Sequence, residues 1–107
     1  MDIVVSAEPR TAGIHEYDAR RLFPRHLPMI PHSVWCKLTK WTREYTALQI
    51  RLIGLPEHQS ESDRATVVEF DFIGRQLANE VAHFVGSKSR ILYYSEGRGS
   101  FLNLDGL

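Results

Sequence analysis

Cysteine is nearly absent: Cys36 is the single thiol in 107 residues, so no internal disulfide framework can form. No apolar run approaches the roughly 18 residues that a bilayer-spanning helix needs. The opening residues, Met1-Asp-Ile-Val-Val-Ser6, lack the basic region and apolar core of a secretory signal. These absences predict a cytoplasmic protein without membrane contact. Internal repeats and low-complexity tracts are missing as well. Formal net charge is zero. Apolar residues make up 43% of the chain and eleven are aromatic, a composition of globular rather than disordered proteins. A chain of this length suits one domain, residues 1–107, that buries roughly 65% of its unfolded surface.

The balanced charge is unevenly spread. Arg20, Arg21, Arg25, Lys37, Lys40, Arg43 and Arg51 face only Glu44 in one stretch, whereas Glu57, Glu61, Asp63, Glu69 and Asp71 face only Arg64 in the next. Three arrangements follow from such a split. The segments meet inside the fold, they pair between two protomers of a homodimer, or the basic one meets an acidic partner.

Ile3 to Val5 is a β-branched run ended by Glu8-Pro9, which suits an edge strand. Ile14, Tyr17, Arg21 and Leu22 fall at the spacing of a short helix that must stop before Pro24. Residues 23–32 hold three of the five prolines and read as a stiff connector. Within it Pro28 and Pro31 form a P-x-x-P, a spacing that docks on aromatic grooves but more often marks a linker.

Ser33 is a candidate N-cap. From there Val34, Leu38, Trp41, Tyr45, Leu48 and Leu52 share one helical stripe, yet Leu48, Ile50 and Leu52 also alternate like a strand. Ala65 to Phe72 alternates too, with Val68, Phe70 and Phe72 on one side, and a strand there needs a neighbour. The expectation is therefore a helix from Ser33 to Arg43 followed by a strand from Tyr45 to Ile53. Antiparallel pairing of that strand would bring Arg51 near Glu69 or Asp71.

Residues 54–64 read as a polar loop. Ile73, Leu77, Val81, Phe84 and Val85 define a helix capped by Gly86, and Arg90–Ser95 with Ser100–Leu104 flank Glu96-Gly-Arg-Gly99 as a β-hairpin. The fold class that results is α+β, a mainly antiparallel sheet carrying one or two helices and a C-terminal hairpin.

Chemistry is thinly represented. His26, His32 and Cys36 are three potential metal ligands within eleven residues, with His32 and Cys36 on one helical face, but prolines intervene and a fourth ligand is not local. Glu80-x-x-His83 repeats half of a di-iron pattern whose other half is missing. Cys36 would be a nucleophile only with a base, which the sequence does not identify, and a small core residue is the commoner use. Gly97-Arg-Gly99 precedes a strand and so reads as a hairpin tip rather than a phosphate cradle. No metal, catalytic or cofactor site is expected.

The leading expectation is a non-enzymatic protein-interaction module, such as a small inhibitor, an accessory protein, a chaperone or a subunit. It would act through Arg20, Arg21, Arg25, Lys37, Lys40, Arg43, Tyr93, Tyr94 and Arg98, residue types suited to a macromolecular partner. The alternative is nucleic-acid binding by the basic 20–51 segment, with Trp35, Trp41 and Tyr45 as stacking surfaces. Against that alternative, two tryptophans are a large share of the apolar area available to so small a core.

Overall fold

The computed structural model describes residues 2–8, 13–17, 28–53, 61–87 and 89–104. Strands β1 (Asp2–Ser6) and β2 (Ile14–Glu16) precede helices α1 (His32–Ile53) and α2 (Glu61–Val85), and strands β3 (Arg90–Ser95) and β4 (Ser100–Leu102) close the chain. The sheet order is β2-β1-β3-β4, with β1 parallel to β3 and both outer pairs antiparallel. This is the expected α+β class with its C-terminal strand pair.

β1 is a central strand rather than the expected edge. It lies between β2 and β3, and Ile3, Val4 and Val5 are each at most 1% exposed; Pro9, which suggested an edge, lies outside the described residues. The helix expected from Ile14 is also replaced, because Ile14, His15 and Glu16 pair with Val5, Val4 and Ile3. Arg21, Leu22 and most of the connector lie outside the described residues.

The larger correction concerns the middle of the chain. No strand forms at Tyr45–Ile53 or Ala65–Phe72: α1 runs unbroken through 22 residues and α2 through 25. Both segments carry two periodicities, and the helical one wins because it extends neighbouring helix without a new nucleation step. In α1 the stripe Val34, Leu38, Trp41 and Tyr45 is buried as its spacing requires. In α2 the buried side is Leu77, Ala78 and Val81, with Phe70 packed against the core. Val68 and Phe72, expected on one side of a strand with Phe70, instead point to solvent from α2.

Boundaries shift modestly. α1 starts at His32, with the Pro31 carbonyl accepting from Val34 and Trp35 at 3.0 and 3.2 Å, so Ser33 is not its cap and Pro31 serves the helix start. The polar loop loses Glu61 to Arg64 to α2; residues 54–60 lie outside the described residues. α2 ends as expected, with the Gly86 N–H donating to the Ala82 carbonyl at 3.0 Å.

Both helices cover one face of the sheet. There Ile3, Val5, Ile14, Ile91 and Tyr93 meet the buried sides of α1 and α2 in one cluster. The tightest point is Gly74, where an added Cβ would lie 2.6 Å from the Tyr93 ring and closer still to Trp41. Trp41 stacks on Phe70 with centroids 4.8 Å apart and donates its indole N–H to the Phe70 carbonyl at 3.2 Å.

Gly74→Ala therefore sets a helix-propensity gain of about 1 kcal/mol against overpacking of typically about 1–3 kcal/mol. With two rings and no open space to yield into, the clash wins. Urea denaturation is expected to show a net loss of stability, whereas Gly97→Ala, near only a Val67 methyl at the hairpin tip, changes it less.

Candidate functional site

Asp71 ties α2 to the hairpin. It is 2% exposed; its Oδ1 accepts from the Tyr93 hydroxyl at 2.7 Å and its Oδ2 from the Ser95 hydroxyl at 3.0 Å. Arg98 Nε lies 3.3 Å from Oδ2, and the Arg98 amide donates to Ser95 Oγ at 3.1 Å. Burial, then the bond to Asp71, push the Tyr93 hydroxyl above its ordinary 10, so it stays a neutral donor. Asp71, expected beside Arg51 in a strand pair, is thus held by the hairpin. The network consumes Tyr93, which is 1% exposed and presents no surface to a partner. Arg98 keeps half its side chain exposed while paired.

Of the other expected interface residues, Arg20, Arg21 and Arg25 lie outside the described residues. Lys37 pairs with Glu80 at 3.1 Å and Lys40 approaches Glu44 at 4.0 Å. Exposed pairs of this kind add little stability, but they lessen the free basic charge of α1. Lys40 and Arg43 line a groove of about 360 Å3 along α1 with His32, Trp35, Cys36 and Thr39. Trp41 is buried, and Trp35 is partly so.

Cys36 is exposed, contrary to the core placement its neighbours suggested. His32 Nε2 lies 3.3 Å from its sulfur. The i,i+4 spacing put the two on one face, and the structure supplies the imidazole neighbour that the sequence left unassigned. Among the described residues no group of three or more His, Cys, Asp or Glu side chains converges on a metal-sized site; His26 is not among them.

Two surfaces escaped the sequence reading. The first is the outside of α2, where Val68, Phe72, Ile73 and Phe84 are 50%, 44%, 38% and 38% exposed. Beside them a groove of about 610 Å3 is lined by Lys37, Ile73, Gln76, Leu77, Asn79 and Glu80. The second is the sheet face turned away from the helices. Strand alternation sends Val4, His15, Leu92, Tyr94 and Phe101 there, since Val4 is paired with His15 and Leu92 and Tyr94 with Phe101. Val4, His15, Tyr17, Tyr94, Glu96 and Phe101 line an open, shallow pocket of about 270 Å3 on that face. Burial lowers the pKa of His15 against an opposing pull from Glu8, and burial with repulsion from Glu8 raises that of Glu96. Period-two alternation in the strands was the available signal; the missing information was that β2 lies next to β1.

No family model matches this chain, and no curated protein or solved structure matches it either. Among the described residues no helix is long and apolar enough to cross a membrane.

Two measurements check this geometry. Asp71→Ala strands two buried hydroxyls and removes the partner of Arg98, so it is expected to cost about 3–5 kcal/mol. Ser95→Ala costs less, and the double variant falls short of the sum because the groups share one network. In an NMR titration His15 is expected to reach its midpoint below 6.5 and Glu96 above 4.5. Linkage gives the signs: falling pH destabilises the fold as His15 is forced to charge below 6.5, and stabilises it as Glu96 takes up its proton. His15→Asn is expected to remove the first effect alone.

Proposed function

We propose that the protein is a non-enzymatic interaction module that binds a protein partner through the exposed side of α2 and its groove with α1. The observation that carries this reading is the set Val68, Phe72, Ile73 and Phe84, four large apolar side chains left in water on one helix. Isolated apolar residues are ordinary on a surface, but several on one element beside a groove are typical of interfaces. The Lys37–Glu80 pair in that groove supplies a polar rim around an apolar centre, the usual anatomy of such sites.

Catalysis finds less support. Asp71 is saturated by its three partners, and the Cys36–His32 pair lies on an exposed helix side. Nucleic-acid binding draws support from Lys40, Arg43 and Trp35 in the α1 groove. It loses Trp41 and Tyr45 as stacking platforms, because both are in the core.

Site-specific photocrosslinking in the native cell tests the reading. A benzophenone amino acid replacing Phe72 is expected to give discrete protein adducts that the same group at exposed Ser100 does not, and Ile73→Glu is expected to abolish them. An adduct of twice the chain mass would identify a second copy as the partner. Equal, diffuse labelling from positions 72 and 100 would overturn the proposal.

A further inference from the structure

We propose that the pocket on the helix-free face of the sheet binds an organic cation, an ammonium or guanidinium group. Three aromatic rings shape it. Phe101 meets Tyr94 edge-on at 5.1 Å and 72°, and meets Tyr17 at 5.8 Å and 52°. Neither pair is stacked in parallel, so no ring loses a whole face to a parallel neighbour. Aromatic faces are negative, and a cation held over them within about 6 Å is attracted by the ring quadrupole. Val4 forms a buried apolar floor, which suits the alkyl portion of an amine.

The electrostatics of the walls favour the same sign. Glu96 is half-buried and lines the pocket, yet among the described residues no ion pair or hydrogen bond reaches its carboxylate. The nearby arginines of the sheet and hairpin are engaged elsewhere, Arg90 with Asp2 at 2.8 Å and Arg98 with Asp71. Glu8 adds a second negative charge felt by both His15 and Glu96. His15 does not oppose a cation, since burial favours its neutral ring. A volume of about 270 Å3 accommodates a trimethylammonium or the end of a lysine or arginine side chain. The carboxylate and the rings together distinguish this site from a simple apolar dimple, which would accept a neutral ligand equally well.

The test uses the whole chain and amide NMR shifts. Choline is titrated against its uncharged isostere 3,3-dimethylbutanol, and N-acetyl-lysine methylamide provides the side-chain form of the cation. Saturable shifts at Tyr17, Tyr94, Glu96 and Phe101 are expected with a cation, and about tenfold weaker binding with the neutral isostere. Glu96→Gln and Phe101→Leu, each confirmed as folded by its own spectrum, are each expected to weaken cation binding about tenfold. Tighter binding of the lysine amide would place the natural cation on a protein, and tighter binding of choline would make it a free small molecule. Equal binding of the neutral isostere, shifts mapping elsewhere, or indifference to Glu96→Gln would overturn the proposal. The pocket and α2 lie on opposite sides of the sheet, so this result and the crosslinking result are independent.

Discussion

The missing side chain at Gly74 is the constraint on which the rest of the structure depends. α2 can lie close to β3 only because nothing at that position separates Trp41 from Tyr93. The indole then stacks on Phe70 and the phenol reaches Asp71 one turn of helix away. One contact thus joins α1, α2 and β3, and the Asp71 network extends it into the hairpin through Ser95 and Arg98. A buried carboxylate is costly unless its lone pairs are filled. Here two hydroxyls and a guanidinium fill them, which sets how the hairpin sits on α2.

That junction also decides which residues remain for a partner. With Trp41, Tyr45 and Tyr93 committed to the core, the exposed large aromatic and apolar groups among the described residues, Met29 aside, lie in two places: the outside of α2 and the helix-free face of the sheet. The two differ in chemistry. The α2 side carries four exposed apolar side chains beside a groove with a charged rim, suited to another protein surface. The sheet side is a small aromatic pocket with a carboxylate that has no partner among the described residues, suited to a cation.

Where local signals agreed, the elements were legible. The hairpin was plain from β-rich runs around a glycine-containing turn, and Gly99 there has φ of 67°. The second half of α2 was plain from its apolar spacing and Gly86. The first half was not, because Val68 and Phe72 are exposed apolar residues and imitated an alternating strand; such local conflict is expected at functional surfaces. The same conflict extends to α1, whose second half reads as a strand only if Ala65 to Phe72 is one, and both segments are helical. Of the expected interface residues, Lys40 and Arg43 share a groove, Tyr94 lines the aromatic pocket and Lys37 sits between the helices. Tyr93 is structural, since the sequence does not show which of two adjacent tyrosines faces inward.

By itself the sequence determined the class, α+β, the hairpin, and the stripe of α1 that enters the core. These follow from composition and periodicity, which act over a few residues. Only the tertiary structure decided that β1 is central, that β1 and β3 run parallel, that Asp71 is held by the hairpin, and that Glu96 shares a pocket with Tyr17, Tyr94 and Phe101. Each of these depends on pairing residues far apart in the chain, among them Ile3 with Ile91 and Val4 with Leu92. The free energy of such pairings resides in packing and desolvation between distant segments, and no local pattern encodes which distant segment that will be.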